Sequence, residues 1–144
     1  MGLKFGGMMK YLTIPIALAW LTLASTAAHA DPTGVWRVAD GNATVRIQKC
    51  GKAFCGYVAS TRSPPGADVM NPDPAKRRRS VLGIQVLSNL RPAGTNVWSG
   101  TSYNAEDGQT YTAQVIMQGT GSLMIKGCVP NGGLCGSETW TRIK

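Results

Sequence analysis

Gly34-Val35-Trp36 near the start and Thr139-Trp140-Thr141-Arg142 near the end of this 144-residue chain decide the fold. Both stretches read as strands, with aromatic and β-branched residues at alternate or adjacent positions. If the two are neighbours, the sheet that begins with one and ends with the other has no free edge and is a barrel. The arginine of the last strand can then cover the tryptophan of the first, an attraction worth about 0.5–2 kcal/mol depending on burial. Gly34, Trp36 and Arg142 are therefore assigned to closure of the barrel, because stacking accounts for both residue types without chemistry.

Working inward from these ends, turn residues punctuate the chain at short intervals and the runs between them alternate with period two. The reading is eight strands, over 34–39, 43–50, 55–62, 82–88, 95–103, 109–117, 122–128 and 136–143. Val45 and Ile47 alternate with Arg46 and Gln48, and Leu82, Ile84 and Val86 share one face of the fourth strand. Glu138, Trp140 and Arg142 share one face of the eighth. Short connections favour an antiparallel meander. The predicted fold is all-β, an eight-stranded antiparallel up-and-down barrel. A barrel of this size is either filled by side chains or just wide enough for one small ligand. Trp36, Trp98, Tyr111 and Trp140 would fill it, whereas Gly100, Ser102 and Ala113 would leave room. Asp73-Pro74 ahead of Ala75-Lys76-Arg77-Arg78 predicts one helical turn capped by Asp73.

Residues 1–30 read as a cleaved Sec-type signal peptide: Lys4 and Lys10, then an apolar run over 11–26, then Ala28-His29-Ala30. The run is short for a bilayer span, so no membrane span is expected after cleavage. Residues 31–144 then form a single domain, and the expected location is the bacterial periplasm or the exterior. Cleavage removes two of the 15 Lys and Arg, leaving 13 against 7 Asp and Glu. In an oxidising compartment the four cysteines are expected to pair. Asn131-Gly132 signals a type I′ hairpin turn, which sets Val129 opposite Leu134 and Cys128 opposite Cys135. Cys50 and Cys55 flank a short connection in the same way. The expected bridges are Cys50–Cys55 and Cys128–Cys135, each worth about 2–2.5 kcal/mol by chain entropy. Neither spacing is that of a zinc or redox pair, so no metal or cofactor is expected.

Further residues fall into a recognisable order. Cys50-Gly51 precedes Phe54-Cys55-Gly56, and Asn71-Pro72-Asp73-Pro74 precedes Arg77, Arg79 and Leu82-Gly83. Trp98-x-Gly100 precedes Tyr103, then come Gly108, Tyr111 and Thr139-Trp140-Thr141-Arg142. Gly-x-Trp on the first strand with an arginine on the last resembles lipocalin-like barrels. The whole set resembles a family of small exported bacterial proteins of unknown function with a lipocalin-like (calycin) fold. The resemblance covers nearly all of 31–144 and implies that fold, with no established activity. The chain departs from the pattern with Ser80, where the family tends to proline, and with Glu138, where glutamine is usual.

In a meander, successive connections alternate between the two ends of the barrel. The turns near 40–42 and 104–108, the long connection over 63–81 and the stapled hairpin share one rim. The closure of Trp36 by Arg142 lies at the other. Long ordered loops and barrel mouths are recurrent ligand sites, which places any site at the loop-bearing rim. Candidate ligand-binding residues are Trp98, Tyr103, Tyr111, Glu138 and Trp140, with Arg77 and Arg79 of the basic run supplying cationic help. Glu138 points inward near the rim and is expected to pair with an arginine or a tyrosine. His29 leaves with the signal peptide and the thiols are paired, which removes the commonest nucleophilic devices and general base. No catalytic residue is assigned. The function expected is binding of a small apolar or anionic amphiphilic ligand, with no nucleic-acid partner. The alternative is a disulfide-stapled interaction module, an inhibitor or envelope-assembly factor acting through its rim loops. A third reading, a carboxylate enzyme built on Glu138, lacks a second carboxylate placed beside it.

Overall fold

Trp36 pairs with Arg142 and Arg37 with Thr141 in the computed structural model, which describes residues 31–144. The signal peptide read at 1–30 lies outside the described residues. Eight antiparallel strands follow in chain order: β1 (Gly34–Arg37), β2 (Ala43–Cys50), β3 (Ala53–Thr61), β4 (Gln85–Gly94), β5 (Val97–Asn104), β6 (Gln109–Gln118), β7 (Ser122–Cys128) and β8 (Cys135–Arg142). Each pairs with the next and β8 returns to β1, so the sheet is a closed barrel. No helix among the described residues is long and apolar enough to cross a membrane.

Closure explains the residues that bracket the chain. The ladder runs on past β8, with the Val35 N–H donating to Lys144 O at 2.8 Å and the Ile143 N–H to Val35 O at 2.7 Å. Gly34 has φ 141°, and a Cβ there would lie 2.5 Å from Lys144 O and 2.6 Å from Arg142 Nη1. The closing strand therefore demands glycine at this position. Trp36 is fully buried, and its indole N–H donates to Pro32 O at 2.9 Å. The Arg142 guanidinium lies 4.2 Å from the Trp36 ring centroid. Its Nε donates to Thr120 O at 2.6 Å and its Nη1 to Thr33 O at 2.9 Å. One side chain thus covers the ring and ties the β6–β7 turn and the N-terminal segment together, which a lysine's point charge cannot do.

The core occupies the closed end and the waist: Trp36, Ile47, Leu87, Leu90, Trp98, Val115, Met117 and Leu123, with Val45, Ile125 and Trp140 above them. The alternations read in β2, β6 and β8 hold. The fourth strand departs from its reading. Leu82 is 45 % exposed and lies before β4, and the fully buried residues are Leu87 and Leu90. A register shift between Ser88 and Arg91 inserts an odd step, with Asn89 at φ 51°, so alternation breaks within the strand. Arg91-Pro92-Ala93-Gly94, expected in a loop, belongs to β4. Pro92 is accommodated beside a second shift, where a missing N–H costs little. Gly100 leaves no ligand space either, because a Cβ there would meet Ser88 O at 2.3 Å. It makes room for the bulged β4 backbone.

Both disulfides form as expected, Cys50–Cys55 with Cα atoms 5.9 Å apart and Cys128–Cys135 with 4.1 Å. Cys128 faces Cys135, and the Val129 N–H donates to Leu134 O at 2.9 Å, as the register requires. The turn differs from the type I′ expected on Asn131-Gly132. The Gly132 N–H donates to Val129 O at 3.3 Å, and the left-handed residue is Gly133, at φ 65°. Proline prefers the second position of a common turn, so Pro130 moves the turn one residue forward without changing the register.

Candidate functional site

The loop-bearing rim carries the turn between β1 and β2, the β3–β4 loop over 62–84, the β5–β6 turn and the β7–β8 hairpin. A cavity of about 550 Å³ opens there, within the size range of ligand pockets. Its floor is the top of the core, Val45, Ile125 and Trp140, and Val58 and Val86 continue the apolar wall. Ser102, Tyr103, Asn104, Tyr111 and Ser137 add polar atoms. Asp40, Glu106 and Glu138 supply the charge. The barrel is therefore half filled, packed at the Trp36 end and hollow at the other.

Four of the seven candidate residues come together in this cavity: Tyr103, Tyr111, Glu138 and Trp140. Alternation along β8 sets Arg142 at the plug, Trp140 at the floor and Glu138 at the mouth. The Glu138 carboxylate accepts from the Trp140 indole N–H, its neighbour on the same face, rather than from the arginine or tyrosine expected. Tyr111 donates its hydroxyl to Asp107. That hydrogen bond, then burial, then the carboxylate charge push the phenol above its ordinary value. Trp98 does not line the cavity. It is buried in the core, edge-to-face with Phe54 at 6.2 Å between ring centroids.

Arg77 and Arg79 do not reach the cavity, and among the described residues no Lys, Arg or His lines it. The loop itself uses them. Arg77 Nε donates to Asn71 O at 2.8 Å, while Arg79 donates to Asp68 Oδ2 from Nε at 3.1 Å and Nη2 at 3.0 Å. Asp68 is fully buried and also accepts from Asn71 Nδ2 at 2.8 Å and from the Tyr103 hydroxyl at 2.6 Å. This carboxylate pins the loop to β5 beside the mouth. Burial pushes its pKa up, but the bonds from Tyr103, Asn71 and Arg79, with the Arg79 charge, outweigh burial and hold it below the ordinary range. Burial, then the bond to Asp68, pushes the Tyr103 phenol up. The cap read at Asp73-Pro74 is present, with Asp73 Oδ1 accepting from the Ala75 N–H at 3.0 Å ahead of a single 3-10 turn, Pro74–Lys76.

Asp68 was missed in the sequence. The signal available was charge arithmetic within the loop: Asp68 and Asp73 are its acidic residues, and capping accounts for Asp73. A lone carboxylate facing a basic run then has a partner waiting.

The bacterial family described as "Uncharacterized protein conserved in bacteria (DUF2147)" matches residues 34–142. This chain belongs to that family. The matched span runs from the glycine of β1 to the arginine that covers Trp36, so the DUF2147 pattern and barrel closure coincide. Among solved structures, this DUF2147 chain is similar to protein HP1028 of Helicobacter pylori, described as belonging to the lipocalin family. The two share 26 % identity with a TM-score of 0.72, over 80 % of this chain and 84 % of that one. No curated protein matches the chain.

Proposed function

We propose that this DUF2147 protein is an exported binding protein that holds one small, largely apolar molecule in the mouth of its barrel. The observation that carries the reading is the half-filled interior: about 550 Å³ of cavity resting on the apolar floor of Val45, Ile125 and Trp140. A concave mouth with apolar walls and a few polar groups is the usual form of a small-molecule site. Likeness to a protein described as a lipocalin agrees with this reading. In this reading the ligand is bound rather than turned over. Paired cysteines and a sole histidine at position 29 agree with it, while the carboxylate enzyme weighed from the sequence keeps Asp40 and Glu106 in one cavity with Glu138. The test is purification from a native bacterial host, denaturation, and mass spectrometry of the released small molecules. A stoichiometric compound that fits the cavity supports the proposal; protein that is ligand-free and fails to bind a panel of apolar dyes counts against it.

A second reading has its own observation. Val69 and Met70 on the β3–β4 loop and Leu134 on the stapled hairpin are 62 %, 53 % and 75 % exposed, all at this rim. Exposed apolar side chains of this size favour contact with a protein partner. Replacing all three by serine separates the readings: loss of a periplasmic partner with ligand content unchanged assigns the rim loops to an interaction module.

A further inference from the structure

The mouth is acidic in a basic protein. Residues 31–144 contain 13 Lys and Arg against 7 Asp and Glu, yet the charged side chains lining the cavity are Asp40, Glu106 and Glu138. The ion pair found among the described residues, Arg79 with Asp68, involves none of the three. Their hydrogen-bond donors are neutral: the Asn42 N–H to Asp40 at 2.8 Å, and the Trp140 indole to Glu138. Three acidic residues therefore line one concave space with no Lys, Arg or His beside them in its lining among the described residues; Arg37 and Arg62 lie outside it, against Gly41. Low-dielectric walls focus such a field, so the cavity attracts positive charge and repels negative. Aromatic side chains share the space, Tyr103 and Tyr111 beside Trp140. Aromatic rings combined with carboxylates are the surroundings in which an ammonium group is most favoured, through cation–π attraction and Coulomb attraction together.

We propose that the mouth selects a ligand with a cationic head, a protonated amine or a quaternary ammonium, on an apolar body that reaches the Trp140 floor. This rests on the reading of the barrel as a binding protein and sets the ligand class. It replaces the anionic amphiphile expected from the basic run, because an anionic head would meet three like charges and no arginine among the described lining residues.

Calorimetric titration of the purified protein with octylammonium, octanol and octanoate tests it at neutral pH and low salt, with one tail and three heads. Octylammonium binds about tenfold or more tighter than octanol, and octanoate binds most weakly. The preference shrinks in about 0.5 M salt, as screening requires. The double variant Glu106→Gln/Glu138→Gln narrows the advantage of octylammonium over octanol to within about threefold. Glutamine keeps an acceptor for the Trp140 indole, and circular dichroism confirms the fold of the variant. Octanoate matching octylammonium, or octanol matching it, overturns the cationic head while leaving a binding barrel in place. Failure of all three probes to bind overturns both, since the apolar floor is common to every arm.

Discussion

A methyl group at position 34 would collide with the backbone carbonyl of Lys144, in a backbone region that only glycine occupies comfortably. Gly34→Ala is expected to cost about 1–3 kcal/mol from strain before the collision is counted. A urea midpoint lowered with little change in slope is the expected record, and an unchanged midpoint would remove the closing strand as the reason for this glycine. Asp68 makes a second prediction at this scale. Its folded carboxyl releases its proton more readily than the same group in the unfolded chain. The stabilisation it provides is therefore complete above the ordinary carboxylate range and lost as pH falls through the depressed folded value. Asp68→Asn is expected to cost about 1.5–3 kcal/mol at neutral pH, the scale of hydrogen bonds to a charged group. Denaturation of both proteins from pH 7 down to pH 2 checks the sign: the gap between them closes only at the acid end. A gap independent of pH would mean that the charge of Asp68 does not matter.

Among the elements, the β7–β8 hairpin was the most legible, and the reason is redundancy. Alternation, turn residues and two cysteines at opposed positions all require one register, so moving the turn by one residue left Cys128 facing Cys135. The disulfide reinforces a register that the ladder already holds. Cys128→Ser/Cys135→Ser is accordingly expected to lose about 2–2.5 kcal/mol, the chain-entropy value for so small a loop, while near-ultraviolet circular dichroism keeps its native form. Loss of that signal would make the staple a determinant of register rather than a reinforcement. The β4 strand was the least legible. Leu82, Ile84 and Val86 show clean alternation, yet the strand begins at Gln85 and its buried residues are Leu87 and Leu90. A bulge changes the period locally, and the contact that permits it is with Gly100 on the neighbouring strand β5, where alternation within β4 cannot report it.

The whole molecule divides the barrel into two ends with separate duties. Arg142 covers Trp36 and binds two carbonyls at the packed end, whereas the cavity lies beyond Trp140 at the other. Arg142→Ala is expected to destabilise the protein by about 2–3 kcal/mol through lost charge-assisted hydrogen bonds and the ring contact. Octylammonium affinity, measured at a temperature where the variant remains folded, is expected to stay within about twofold of the parent, because effects at distant sites are independent. A large loss of affinity would show that the ends are coupled through β8.

The sequence by itself determined the closed barrel, the pairing of its cysteines and the rim that would be open. Each depends on local alternation, short connections and residues whose only economical partners lie at the opposite end of the chain. It also carried Tyr103, Tyr111, Glu138 and Trp140 as candidates, since period-two alternation states which face a strand residue occupies. Tertiary structure alone decided that Arg77 and Arg79 serve the loop, that Asp68 pins it, and that the mouth is left acidic. Charge counts are sums over the chain, and they say nothing about which charges neutralise one another. That allocation is made by distances of a few ångströms between segments far apart in sequence, where a 3 Å contact outweighs any average of composition.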